Sequence, residues 1–149
     1  SEKNKSIFFL GGSQQANKKA IESISLKYNI KVDGFSPPFE PYPFTHLTSE
    51  AIKSRINKFN PDYLIICFDA LKSNLWINDN LGYIKELNIN FVSGFGGVIN
   101  LLSGDIRACP AFIKSLGLES LFRLVVEPRF FRLKRIYTSL KGIRYLWIK

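Results

Sequence analysis

Residues 6–28 read SIFFLGGSQQANKKAIESISLKY, and this stretch decides the fold class. Its first five residues, Ser6–Leu10, are a short apolar run that predicts a buried strand, and Gly11 and Gly12 end it. The following residues, Gln14–Tyr28, have apolar positions near helical period. A strand, a glycine turn and a helix in direct succession are typical of α/β folds.

The same alternation continues as far as residue 105. Three further strands are predicted: Ile30–Phe35, Tyr63–Phe68 and Ile89–Ser93. Three further helices are predicted: Thr48–Phe59 with Thr48 as its N-cap, Ser73–Glu86 and Val98–Leu102. We therefore expect residues 1–105 to form a Rossmann-like nucleotide-binding domain. Its parallel sheet should have about four strands flanked by helices.

The composition is that of a folded globular chain, because 46% of the residues are hydrophobic and 22% are charged. No apolar run approaches the 18 residues that a membrane-spanning helix needs, so we expect none. The two cysteines, Cys67 and Cys109, lack the CxxC spacing of a metal or redox site. We expect them to be buried free thiols.

The positive charge is concentrated at the C-terminal end. Residues 107–149 contain ten Lys or Arg and two acids, a net charge of +8 out of +9 for the whole chain. Pro110 can start a short helix there, and Leu118–Val126 has the apolar spacing of an amphipathic helix. We expect residues 106–149 to be a basic amphipathic helical appendage. Because aromatic residues lie between its charges, a phosphate, an anionic membrane and a nucleic acid remain alternative partners.

Two glycine-rich turns follow predicted strands and precede predicted helices. The first is Gly11-Gly12, and the second contains Gly94, Gly96 and Gly97. Glycine lets the backbone approach a phosphate, and a helix N-terminus presents N–H groups to it. Neither turn has the spacing of a dinucleotide fingerprint or a P-loop. Tight packing turns are the alternative, but two turns at one sheet edge favour a nucleotide-type ligand.

Few residues are candidates for catalysis. Asp69 follows the third predicted strand, where it could act as a base or cap the next helix. His46, the single histidine, follows a loop with four prolines at residues 36–44 and should be exposed. The spacing of Cys, His and acidic residues predicts no metal site, and no Ser/His/Asp set is visible.

The stretch at 90–137 resembles the C-terminal part of the WecG/TagA/CpsF glycosyltransferase family. That family has the motifs G-x-G-G-x-x-[DN]-x-L-x-G, R-A-P and G-L-E-x-x-x-R-L-x-x-E-P-R. Here they read GFGGVINLLSG at 94–104, RACP at 107–110 and GLESLFRLVVEPR at 117–129. The segments FFLGGS and DGFSPPF also look like family segments. The resemblance covers nearly the whole chain and places it on the C-terminal two-thirds of the family.

The resemblance implies inverting transfer of an N-acetylmannosamine-type sugar. The donor would be a UDP-sugar, and the acceptor an undecaprenyl-diphosphate-linked molecule used for bacterial cell-surface polysaccharide. The chain would lie peripherally on the cytoplasmic face of the cell membrane, without a cofactor and without a nucleic acid partner. The resemblance also implies that arginines of the appendage contact phosphate or membrane: Arg107, Arg123, Arg129, Arg132 and Arg135.

Two departures from the family pattern bear on activity. The aspartate proposed as the family's catalytic base has no counterpart here. In the family motif G-x-P-x-Q-E-x-W, Lys72 and Trp76 match a common form, but Ser73 and Asn74 replace glutamine and glutamate. We therefore expect catalysis to need the family's first half, supplied either by a second polypeptide or by a further part of the same protein. The alternative is a non-catalytic or degenerate partner subunit of such an enzyme.

Overall fold

The structure is a computed structural model that describes residues 5–104, 109–115 and 122. The chain divides into two compact units, Ser1–Asp105 and Ile106–Lys149. The elements of the first unit, in chain order, are β1 (Ser6–Leu10), α1 (Gln14–Tyr28), β2 (Lys31–Phe35), α2 (His46–Phe59), β3 (Tyr63–Ile66), α3 (Ala70–Asp79), α4 (Leu81–Glu86), β4 (Phe91–Gly94) and α5 (Val98–Leu102). In the second unit the structure describes α6 (Ala111–Ser115).

The described strands form one sheet in the order β2-β1-β3-β4, and every neighbouring pair is parallel. The predicted α/β class and the Rossmann-like sheet are therefore confirmed. The chain runs from β1 to β2 on one side and then crosses to β3 on the other side of β1. This reversal makes the carboxyl ends of β1 and β3 the topological switch point of the sheet.

Helices pack on both faces of the sheet, and each face has its own core. On one face Phe8, Leu10, Leu64 and Ile66 pack with side chains from α2, α3 and α4, such as Ile52, Ile56, Trp76 and Ile84. On the other face Phe9 and Cys67 pack with Ala16 and Ala20 of α1 and with Ile99 of α5. Because both faces are covered, the central strands are apolar on both sides, as parallel strands require.

Helix α2 begins earlier than the sequence pattern predicts. Its N-cap is Thr45, whose hydroxyl accepts the N–H of Thr48 at 3.3 Å. The prediction of Thr48 as N-cap was therefore wrong. Glu40 explains the difference, because its carboxylate accepts the Thr45 N–H at 3.1 Å and holds that residue at the end of the proline-rich loop.

The predicted helix Ser73–Glu86 is two helices, α3 and α4, separated at Asn80. The Asn80 side chain donates to the Trp76 carbonyl at 2.8 Å, and its backbone N–H donates to the same oxygen at 3.1 Å. Asparagine competes in this way with regular helical hydrogen bonds, so it interrupts the helix. Gly82, two residues later, is exposed.

The remaining predictions differ in smaller ways. Strand β3 ends at Ile66 rather than Phe68, and β4 begins at Phe91 rather than Ile89. Pro110 precedes α6, where its carbonyl accepts the N–H groups of the third and fourth residues that follow it. Both cysteines are free thiols; Cys67 is buried, but Cys109 is half-buried. The predicted helix Leu118–Val126 lies outside the described residues apart from Phe122.

Candidate functional site

A cleft of about 1130 Å³ opens at the carboxyl edge of the sheet. Residues that follow β1, β2 and β3 line it together with the first turns of α2, so the cleft lies at the switch point between β1 and β3. Open parallel sheets bind their ligands at this position. The volume slightly exceeds the range of about 300–1,000 Å³ usual for small-molecule sites.

The turn between β1 and α1 forms one wall of the cleft. Gly11 and Gly12 have φ angles of 104° and 77°, which residues other than glycine rarely adopt. Ser13 caps α1, because its hydroxyl accepts the N–H of Ala16 at 3.1 Å. The first turn of a helix has N–H groups without intrahelical partners, and Gln14, the first residue of α1, lines the cleft. This wall can therefore donate hydrogen bonds to an anion.

A buried asparagine fixes the position of this turn. Asn17 of α1 is 4% exposed, and its side-chain amide donates to the carbonyls of Phe9 and Gly11 at 3.2 and 2.9 Å. A Cβ on Gly34 of β2 would lie only 2.3 Å from Oδ1 of Asn17, so α1 approaches β2 closely here. The start of α1 is thus held against the ends of two strands, which keeps the wall rigid.

The proline-rich loop at 36–44 forms the opposite wall, and helix α3 holds it in place. The Tyr42 hydroxyl donates to the Asp79 carboxylate, and the Lys72 ammonium donates to the Glu40 carbonyl. Burial, together with the hydrogen bond to Asp79, raises the pKa of Tyr42 to about 12, so the hydroxyl stays protonated at neutral pH. The loop tip carries Phe39, which is fully exposed and lines the cleft.

Lys72 lines the cleft among three aromatic rings. Its Nζ lies 4.6 Å from the ring centroid of Phe44, 5.3 Å from that of Phe68 and 5.8 Å from that of Phe39. These distances are in the range of cation–π contacts. The side chain is half-buried, and no carboxylate of the described residues is within 4.0 Å of its nitrogen. Among the residues that the structure describes, its positive charge therefore has no ion-pair partner.

Asp69 is the N-cap of α3. Its Oδ1 accepts the backbone N–H of Lys72 at 3.0 Å, which is the capping alternative considered from the sequence. The side chain is exposed and is the single carboxylate among the residues that line the described cleft. Asp69 therefore caps a helix at the edge of the cleft and remains the candidate base in this unit.

The second glycine turn is built for close packing. A Cβ on Gly94 would lie 2.8 Å from Cβ of Ser73, and one on Gly96 would lie 2.4 Å from the carbonyl oxygen of Phe68. Gly97 has open space around it. In the described part of the chain these three glycines do not line the cleft, whereas Gly11 and Gly12 do. The structure thus places the first glycine turn in the lining of the cleft and packs the second against Ser73 and Phe68.

The other predicted residues have varied positions. His46 is the exposed first residue of α2. Cys67 lines the cleft, and burial raises the pKa of its thiol to about 12, so it is not a thiolate nucleophile at neutral pH. Arg107, Arg123, Arg129, Arg132 and Arg135 lie outside the described residues.

Sequence patterns did not identify Lys72, Phe39 or Ala51 as residues of the cleft. Lys72 offered one signal, because it follows a strand end by a few residues and matches the family motif. Phe39 also offered one, because it ends the family-like segment DGFSPPF. Ala51 offered none, since it comes from an exposed helix position.

The described residues contain no group of three or more His, Cys, Asp or Glu side chains that could hold a metal ion. None of the described helices is both long enough and apolar enough to cross a bilayer.

Comparison with known proteins identifies the family. One solved structure that is similar is a GTP-binding protein from the hyperthermophilic archaeon Sulfolobus solfataricus, in complex with GDP. The match has 20% sequence identity and a TM-score of 0.35, and it covers 97% of this chain but 46% of that one, so it carries no functional argument. The sequence model of the Glycosyl transferase WecG/TagA/CpsF family matches residues 1–148, which confirms the resemblance over nearly the whole chain. The chain therefore belongs to the WecG/TagA/CpsF family of glycosyltransferases.

Proposed function

We propose that this chain binds a UDP-sugar in the cleft at the switch point and takes part in inverting glycosyl transfer. The sugar is of the N-acetylmannosamine type, and the acceptor is linked to undecaprenyl diphosphate for bacterial cell-surface polysaccharide synthesis. The observation that carries the proposal is the cleft itself, lined by the glycine turn Gly11-Gly12 and by the start of α1.

The chemistry of the cleft suits a nucleotide-sugar. The donor carries two phosphates, and the wall at Gly12–Gln14 offers backbone N–H groups to an anion. The exposed ring of Phe39 offers an aromatic surface beside the same space. Stacking on such rings stabilises bases by about 1–3 kcal/mol. The cleft therefore offers groups for the two phosphates and for the uracil ring of the donor.

Inverting transfer also needs a base for the acceptor hydroxyl and a stabilised leaving diphosphate. Asp69 is the candidate base within the described unit. We assign Arg107, Arg123, Arg129, Arg132 and Arg135 to phosphate or membrane contact. We also assign Gly94 and Gly96 to the support of this edge of the sheet near the donor, because they pack closely against Ser73 and Phe68. Gly97, which has open space around it, remains a candidate for contact with the donor.

The location we propose is the cytoplasmic face of the cell membrane. The support is the net charge of +8 in residues 107–149 with aromatic residues between the basic ones. Lys and Arg near an anionic surface contribute about 1 kcal/mol each, and aromatic residues favour the interface. This composition alone would also suit a nucleic acid, but the family resemblance implies a lipid-linked acceptor and so favours the membrane surface.

The test is thermal protection by UDP and UDP-N-acetylmannosamine. At 100 times its dissociation constant, a ligand stabilises the folded state by about 2.7 kcal/mol. Ala51→Glu should remove the protection, because Ala51 is an exposed helix residue that lines the cleft, and a carboxylate there repels phosphate. Ser54→Glu is the matched control: it adds the same charge to the same helix away from the cleft lining. The donor-site proposal fails if millimolar uridine nucleotides do not raise the melting temperature of the wild type.

A second candidate function is a partner subunit without catalytic activity. The observation that favours it is the engagement of the Asp69 carboxylate as a helix cap. In that case the chain should show no transfer from UDP-N-acetylmannosamine, either alone or after a polypeptide with the family's N-terminal half is added. If transfer appears when that polypeptide is added, the chain takes part in catalysis and the partner-subunit proposal is contradicted.

A further inference from the structure

We propose that Lys72 is a diphosphate contact in the cleft, and that its three phenylalanine neighbours hold its ammonium group ready for the ligand. This inference rests on the proposed function, because it names the ligand group that the site recognises. The residue lines the cleft together with the glycine turn and is bonded to the loop that forms the opposite wall. A bound diphosphate could therefore accept hydrogen bonds from backbone N–H groups and from the ammonium at the same time.

The first observation is that the Lys72 ammonium has no ion-pair partner among the described residues. Within that part of the chain most of its hydrogen-bonding capacity is unused, because Glu40 supplies one carbonyl and an ammonium has three donors. No carboxylate in the described part of the chain is within ion-pair distance, although the side chain is half-buried. Asp69 lines the same cleft, but its carboxylate caps α3 and is not within ion-pair distance of the Lys72 nitrogen. A positive charge that is not ion-paired in a cleft favours an anionic ligand.

The second observation is the aromatic surrounding. Phe44 and Phe68 pack against each other with ring centroids 5.2 Å apart, and both face the Lys72 nitrogen. The rings attract the ammonium through their quadrupoles but leave its charge uncancelled. They also limit the rotamers of a long side chain, so less conformational entropy is lost when a ligand binds.

The third observation separates Lys72 from an ordinary aromatic contact. Lys53 also lies over a ring, with its Nζ 5.6 Å from the centroid of Tyr83, but it does not line the cleft. The chain therefore contains a matched lysine with the same type of contact in another place.

A diphosphate could belong to the nucleotide donor or to the lipid-linked acceptor. The experiment measures the affinities of two ligand pairs by calorimetry: UDP with uridine, and geranyl diphosphate with geraniol. It compares the wild type with Lys72→Met, Lys72→Arg and Lys53→Met. Methionine fits among the rings without a charge, so Lys72→Met should keep the fold.

We expect Lys72→Met to weaken binding of the diphosphate member of at least one pair by about tenfold or more, since a hydrogen bond to a charged group is lost. The partner without phosphate should bind as before. Lys72→Arg should restore much of the affinity, and Lys53→Met should have no effect. A loss of affinity for UDP would assign Lys72 to the donor site, and a loss of affinity for geranyl diphosphate would assign it to the acceptor site.

Two results would overturn the inference. If Lys72→Met weakens the binding of uridine and of UDP by the same factor, Lys72 acts through its hydrogen bond to the loop carbonyl of Glu40 and does not contact phosphate. If both diphosphates bind to Lys72→Met as they do to Lys53→Met, the inference is also wrong. In either case the UDP site of the wild type stands. Failure of all four ligands to bind the wild type would instead contradict the proposed function itself, and the inference with it.

Discussion

Replacing Asp62 by asparagine should destabilise the sheet in a pH-dependent way. Asp62 lies just before β3, at the edge opposite the cleft, and its Oδ2 accepts both the N–H and the hydroxyl of Ser6 at 2.9 Å. Its Oδ1 accepts from the side-chain amide of Asn90 at 3.1 Å and lies 3.6 Å from Nζ of Lys5. One carboxylate therefore joins the starts of β1 and β3 to the residue just before β4.

An asparagine cannot make all of these contacts. If its oxygen faces Ser6, its NH2 group faces the donors of Asn90 and Lys5; if it turns over, the contacts with Ser6 are lost. Hydrogen bonds to charged groups contribute roughly 1.5–3 kcal/mol against about 1 for neutral ones. The Asp62 side chain is 29% exposed, which reduces the difference. We expect Asp62→Asn to lower the free energy of unfolding by about 1–2 kcal/mol at pH 7.

The pH dependence follows from the pKa of Asp62. The hydrogen bonds from the backbone and side chain of Ser6, with a smaller effect of Lys5, hold this pKa below its usual value. The stability that depends on the ionised carboxylate is therefore fully present above the unfolded-state pKa of about 3.9 and is lost as the pH falls through the folded-state pKa.

Urea denaturation of wild type and Asp62→Asn, measured from pH 7 down to pH 3, tests this reasoning. The difference in unfolding free energy should shrink below about pH 4. Binding of UDP at pH 7 should be unchanged, because Asp62 is at the other edge of the sheet. A difference that stays constant across this pH range would refute the assignment of the stability to the carboxylate charge.

Three further predictions concern the second glycine turn, the cleft and residues 107–149. Gly96→Ala should destabilise the fold by about 1–3 kcal/mol because its Cβ would collide with the Phe68 carbonyl, whereas Gly97→Ala should change the melting temperature little. Asp69→Ser keeps a capping hydroxyl and removes the carboxylate, so it should preserve the melting temperature. Glycosyl transfer is then measured with the family's first half added. Loss of transfer would identify Asp69 as the catalytic base, and unchanged transfer would exclude it. With residues 107–149 present, the chain should sediment with anionic vesicles and more weakly at high salt, and equal sedimentation with neutral vesicles would contradict an electrostatic contact.

Much of the fold could be predicted because its signals are local. The apolar run Ser6–Leu10 and the helical period of Gln14–Tyr28 give the observed bounds of β1 and α1. The start of α2 could not be predicted in the same way. Threonines at 45 and 48 are both acceptable caps, and the choice depends on a hydrogen bond from the Thr45 N–H to the carboxylate of Glu40.

The candidate site was predicted less completely. The first glycine turn was found because glycines after a strand are visible in any sequence, and Gly11 and Gly12 do line the cleft. The packing roles of Gly94 and Gly96 could not be found, since they depend on how closely the start of α3 approaches β4 and the following turn. Lys72 was known as a motif match, but its aromatic neighbours come from a loop and from a strand end.

The sequence by itself determined the order of strands and helices along the chain, the glycine turn after β1, the positive charge of residues 107–149 and the family. Each depends on neighbours in the chain or on fixed spacing, so no contact has to be known. The tertiary structure decided which residues share the cleft. The hydrogen bonds from Lys72 to Glu40 and from Tyr42 to Asp79 join residues 32 and 37 positions apart. Such contacts form only when packing of the helices on the sheet has brought α3 and the loop together, because no local pattern encodes their meeting.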